Sequence, residues 1–209
     1  MSQTKIGVGM INATSIGDAK VLQGDGSWVT PSAGALTFIN TSDLSSTATY
    51  DFTAVNASSY DGYGFFLQNV VPATDDVGLE LLTSTDGGSS YDTGSSDYNW
   101  WIGIVSSQGQ DTSDNSIQMI GVEASAGYQV GSAANEIGVS GWLWVIGPHL
   151  TGYTATHWNF SVMMDNAAFL NINGAGVRLS AANVDAIRIL YTSGALESGT
   201  ITAYGLANA

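Results

Sequence analysis

Between Phe65 and Tyr98 the chain reads FFLQNVVPATDDVGLELLTSTDGGSSYDTGSSDY, and this stretch limits the fold more than any other. It holds two apolar runs, Phe65–Val71 and Val77–Thr85, separated by a short loop with Pro72 and the acid pair Asp75 and Asp76. A third run, Tyr98–Val105, follows the turn Asp86-Gly87-Gly88-Ser89-Ser90. Apolar runs of this length, punctuated by Pro, Gly and Asp, are the pattern of antiparallel strands. Gly87 and Gly88 fall where a tight turn needs positive φ.

The pattern continues along the chain. Leu36–Asn40, Ala48–Val55, Gly62–Val71, Asn99–Val105, Ile117–Val122, Ile137–Ile146, His157–Met164, Ala167–Asn171, Val184–Tyr191 and Gly199–Leu206 all read as strands. Period two places Tyr50 and Phe52 on one face, and Val77, Leu79 and Leu81 on another. Gly62–Val71 is apolar nearly throughout, as expected of a central strand covered on both faces. Asp111–Ser116 and Ala124–Asn135 read as polar loops, and Ala175–Ala182 has room for one helical turn at most. No long amphipathic helix and no repeat of 20–50 residues stands out. The expected fold is an all-β, antiparallel, jelly-roll-like β-sandwich.

Residues 1–33 differ from the rest. Ile6, Val8, Met10, Ile16 and Trp28 are too sparse, among so many Gly and Ser, to close a core of their own. The expected organisation is therefore an extended N-terminal arm over 1–33, for anchoring or oligomerisation, followed by a β-sandwich domain over 34–209. The arm's apolar residues are candidate contacts to sister chains or to another protein.

Charge narrows the partners. The chain carries 18 acids against four bases, a net −14, and no base lies between Lys20 and Arg178. Nucleic acid and anionic membrane surfaces both need clustered Lys and Arg, so neither is expected as a partner. Only 11% of residues are charged, so hydroxyls and backbone must supply much of the polar surface. There is no cysteine, hence no disulfide, thiolate metal site or Cys nucleophile. No apolar run reaches the 18 or so residues of a membrane-spanning helix, and the N-terminus has no signal-peptide core.

No catalytic motif is present: there is no G-x-S-x-G elbow, and no acid pair sits in a recognisable glycosidase arrangement. His149 and His157 read as structural residues. Asp75, Asp76, Asp86, Asp111 and Asp114 lie in loops. They are either solvated turn residues or oxygen donors to a Ca²⁺ ion, the one cofactor considered. Trp100 and Trp101 are adjacent in a strand, so one ring is expected inside and the other outside, where it can meet a neighbouring subunit or a glycan. Arg188 shares its strand face with Ala186 and Leu190, which predicts a partly covered guanidinium paired with an acid from an adjacent strand or subunit; the alternative is a stem laid over the sheet with the head in water.

Two stretches, Asn69–Asp97 and Val184–Leu206, together resemble a family of tailed-bacteriophage virion proteins of the tail-fibre-like or head-decoration-like kind. The GDGSWVTP turn before residue 33 is similar to the entry segment of phage fibres and capsid-appended proteins. The resemblance implies a non-enzymatic structural protein of the virion, assembled in the host cytoplasm. The expected form is a homotrimeric capsid decoration or cement protein contacting the major capsid protein or another virion protein. The alternative is a tail-fibre or adhesin component, or a carbohydrate-binding module for a host glycan.

Overall fold

The computed structural model describes residues 21–22, 28–29, 36–55, 59–104, 107–121 and 128–207. Two compact units divide the chain, Met1–Gly34 and Ala35–Ala209. In the first, β1 (Val21–Leu22) and β2 (Trp28–Val29) pair antiparallel. Ile6, Val8, Met10 and Ile16 lie outside the described residues, as does the side chain of Trp28.

The second unit is an all-β sandwich of two antiparallel sheets. Its strands in order are β3 (Leu36–Thr47), β4 (Tyr50–Phe52), β5 (Tyr60–Pro72), β6 (Leu79–Ser84), β7 (Tyr98–Ile104), β8 (Ser107–Asp114) and β9 (Ile117–Ile120). They are followed by β10 (Val139–Ile146), β11 (Ala155–Met163), β12 (Phe169–Arg178), β13 (Ala186–Tyr191) and β14 (Leu196–Ala207). The larger sheet has eight strands in the order β3-β14-β5-β10-β11-β12-β7-β8, and the smaller has four, β4-β13-β6-β9. The expected sandwich is thus present, with its strands divided eight and four.

Period-two alternation builds the core. The large sheet turns in Tyr63, Phe65 and Leu67 from β5, Leu143 and Val145 from β10, and Trp158, Phe160 and Val162 from β11. The small sheet answers with Leu79 and Leu81, Ile187 and Ile189, and Tyr50 and Phe52. Phe52 meets Phe65 and Tyr63 edge-on, at centroid distances of 5.1 and 5.4 Å, the arrangement that aromatic quadrupoles favour.

The central strand β5 carries a bulge. Its register slips by one residue against both neighbours, between Leu67 and Val70 on the β10 side and between Gln68 and Val71 on the β14 side. Asn69 takes up the extra residue with φ of 50°, a left-handed conformation that Asn tolerates better than most residues. The Asn69 Oδ1 accepts from the Gly138 N–H at 2.9 Å, and the Asn69 N–H donates to the Ser140 hydroxyl at 2.9 Å.

Two sequence expectations need correction. Asp111–Ser116 is not all loop, because β8 runs to Asp114 as the last strand of the large sheet. An edge strand pairs on one side only, so it can be built from Ser, Gln, Thr and Asp without an apolar face. Ala175–Ala182 holds no helical turn, since β12 continues through Arg178. Its small residues Gly174 and Gly176 face inward beneath the Trp158 and Ile117 side chains. The runs Val184–Tyr191 and Gly199–Leu206 fall in different sheets: β13 belongs to the small sheet and β14 to the large one.

Candidate functional site: the outer face of the large sheet

One face of the eight-stranded sheet packs on the small sheet, and the other points away from it. Register fixes which residues line up across that outer face. One row runs Phe38, Tyr204, Gly64, Trp144, His157, Ala175, Trp101 and Gln110, one residue from each strand in direct opposition. The next runs Thr41, Thr202, Phe66, Trp142, Asn159, Asn173, Gly103 and Gln108. A third row at the sheet end begins Leu36, Leu206, Gly62, Ile146.

The face has two halves of different chemistry. Over β3, β14, β5 and β10 it is aromatic and aliphatic. Trp142 and Trp144 stack at 5.4 Å with planes 15° apart, and Phe66 and Tyr204 lie against Trp142 at 5.1 and 5.6 Å. Phe38 meets Tyr204 edge-on at 6.0 Å. The Trp144 ring lies across Gly64: a Cβ there would come within 2.8 Å of Cζ3. At the sheet end Leu36, Phe38, Ile146 and Leu206 are 40%, 60%, 49% and 39% exposed.

Over β11, β12, β7 and β8 the face is built mainly of amides, with Phe169, 60% exposed, at the start of β12. Asn159 and Asn171 exchange side-chain hydrogen bonds at 3.2 and 3.0 Å, and the Asn171 amide also donates to the Phe160 carbonyl at 3.1 Å. Asn173 stands opposite Asn159 and Gly103. Trp101 rises among these amides and folds along its own strand over Gly103, where a Cβ would sit 2.6 Å from Cη2.

Trp100 and Trp101 divide between the faces as the alternation requires. Trp100 is buried, with its indole N–H donating to Asp114 Oδ2 at 2.8 Å, whereas Trp101 is 40% exposed. The remaining aromatics of the face lie in strands whose sequences are apolar at both parities. In β10, VSGWLWVI, the smaller Leu143 and Val145 go inside and the two tryptophans outside. Gly64 of the adjacent strand is the available signal, since it leaves room for the Trp144 ring.

The loop carboxylates are engaged by their own surroundings. Asp86 accepts from the Ser84 hydroxyl at 2.8 Å and from the N–H and hydroxyl of Ser90 at 2.9 and 2.6 Å. These bonds, the Ser90 hydroxyl foremost, hold its carboxyl down to about 2. Asp75 accepts from the Ser132 N–H, Asp111 from the Ser113 N–H, and Asp114 from Asn115 as well as Trp100. Asp76 occupies an exposed turn with φ of 60°. Among the described residues no group of three or more His, Cys, Asp and Glu side chains is drawn together as a metal site. His157 is exposed on the outer face, and His149 lies 4.0 Å from Asp61 in the turn after β10.

Both late arginines are paired. Arg178 is buried and donates to Asp92 Oδ2 at 2.7 Å and to the Ser180 carbonyl at 2.6 Å. Arg188 grips Asp51, on adjacent strand β4, with Nε and Nη2 at 2.7 and 2.6 Å, and lies 4.0 Å over the Tyr91 ring. The Asp51 carboxyl is held below the ordinary range by that guanidinium. Neither protein-family models nor curated proteins include a match to this chain.

Proposed function

We propose that this is a non-enzymatic structural protein of a tailed-phage particle, a homotrimeric capsid decoration protein that docks through apolar surface rather than through charge. The observation that carries this reading is the sheet-end patch of Leu36, Leu206 and Ile146, in one row with Gly62 between the last two, and Phe38 in the next row; these four large side chains are all well exposed. Contiguous exposed apolar surface of this kind marks interaction sites. Cyclic homo-oligomers are the commonest way for identical chains to cover such a patch. The resemblance of Asn69–Asp97 and Val184–Leu206 to virion proteins supplies the setting.

Mass photometry of the full-length protein should give about three chains per particle, and Phe38→Ser with Leu206→Ser should release monomers whose melting temperature is close to that of the parent subunit. Immunogold labelling of intact particles should decorate the head. A clean monomer at micromolar concentration would overturn the trimer, and label confined to the tail would move the protein to the fibre.

A further inference from the structure

We propose that the amide half of the outer face, over β11, β12, β7 and β8, binds a neutral, hydroxyl-rich polysaccharide, with the Trp101 indole as the stacking platform and Asn173 beside it as a hydrogen-bonding group. This inference is independent of the docking role of the apolar half.

Charge selects the ligand class. The chain has a net charge of −14, yet β7, β10, β11 and β12 contain no Asp, Glu or Lys, and their single Arg is Arg178, buried against Asp92. The two acids of edge strand β8, Asp111 and Asp114, stand opposite the inward-facing Trp100 and Tyr98 and so belong to the other face. Among the described residues, Asp43 shares the parity of the outer face, but it is on β3, at the far side of the sheet from this half. An anionic polymer would find no base there and would enter the field of an acidic protein. A cation would find no carboxylate. A neutral ligand meets neither obstacle.

The side chains on this half match a sugar in kind. Because Trp101 reaches along its strand over Gly103 and is still 40% exposed, part of its aromatic face is open to solvent. Such a face suits the apolar C–H side of a pyranose, as aromatic surfaces suit other flat, partly polar partners. Amides carry both donors and acceptors, as hydroxyls do, and the reciprocal Asn159–Asn171 pair holds two of them in place. Ala175, exposed between His157 and Trp101 in the same row, leaves an open floor. Trp144 lies three strands from Trp101 along that row, about 14 Å away at ordinary strand spacing. The site is therefore long enough for several units of an extended chain. A second copy of the protein is a poorer occupant, because packing against this half would bury amides that need partners and bring two acidic bodies together.

Affinity electrophoresis in native gels cast with laminarin, dextran, hydroxyethylcellulose or galactomannan tests the assignment, with alginate as the anionic control. The wild-type protein should be retarded by at least one neutral polymer and not by alginate. Trp101→Ala should weaken that retardation by about two- to tenfold, the effect of losing a stacked ring, and Asn173→Ala should weaken it by about twofold or more. Both positions are exposed, so the variants should keep the parent melting temperature, and Trp101→Phe should restore part of the binding. Migration unchanged in all four neutral gels would overturn the proposal. So would retardation that survives Trp101→Ala, or retardation by alginate alone. Loss of oligomers in Trp101→Ala without any polysaccharide binding would instead mark this half as a subunit contact and overturn it too.

Discussion

Tyr191, on the small sheet, donates its hydroxyl to the carbonyl oxygen of Val70, on the large sheet, at 2.7 Å. The bond depends on the bulge at Asn69, next to Val70, where the β5 register breaks against both neighbouring strands. A second tyrosine crosses the sandwich the other way. Tyr98, on the large sheet, accepts from the Thr83 N–H at 2.9 Å and donates to the Asp92 carbonyl at 3.1 Å. Burial raises both phenols, Tyr98 to about 12.

Tyr191→Phe should therefore destabilise the domain without disturbing its packing. The ring stays, and a buried carbonyl is left without its donor, a loss of about 1–3 kcal/mol. Urea unfolding followed by tryptophan fluorescence should show a lower midpoint with the same slope. An unchanged midpoint would mean that the carbonyl is served equally well by another donor.

The Arg188–Asp51 pair should be worth less than its geometry suggests. The two side chains are 29% and 33% exposed, so solvent screens them, and a coupling of about 0.5–1 kcal/mol is expected despite the two-pronged contact. A cycle of Arg188→Met, Asp51→Asn and the double variant measures it. Arg188→Met should lower the melting temperature, and Arg188→Lys should recover little, because an ammonium cannot make the paired contact. Equal melting temperatures across the cycle would show the pair to be energetically idle.

Acid should weaken the fold in a defined window. Asp86 sits at about 2 and Asp51 is also lowered, against an ordinary value near 3.9. A carboxyl lowered in the folded state contributes stability above its unfolded value and loses it as pH falls through the folded one. Melting temperature should be flat from about pH 6 to 5 and fall between about pH 4 and 2. Asp86→Asn should flatten part of that fall, and a profile identical to the parent's would remove Asp86 from the account.

Much of the sandwich was legible because its strands obey period two. The inward turn of Tyr50, Phe52, Leu79 and Leu81 follows from alternation alone, and so does the split of Trp100 from Trp101. Arg188 and an acid on a neighbouring strand could be inferred because an acid-rich chain offers a covered guanidinium many partners. Strand β8 escaped because an edge strand needs no apolar face, and the outward Trp142 and Trp144 escaped because β10 is apolar at both parities. The sheet to which Tyr191 and Tyr204 each belong depends on pairing between distant segments, which local pattern does not encode. Above all, the outer face is a property of register: its rows join residues from eight strands spread over most of the chain.

The absence of acidic side chains from the middle of that face has a further consequence for how copies of this protein behave together. Elsewhere each molecule carries its full negative charge, so at low ionic strength copies repel one another at distances well beyond contact. Added salt shortens that reach to a few ångströms while leaving apolar contact intact. Concentrated brine should thus draw these molecules together and dilute buffer should keep them apart, the reverse of what is expected of an assembly held by ion pairs.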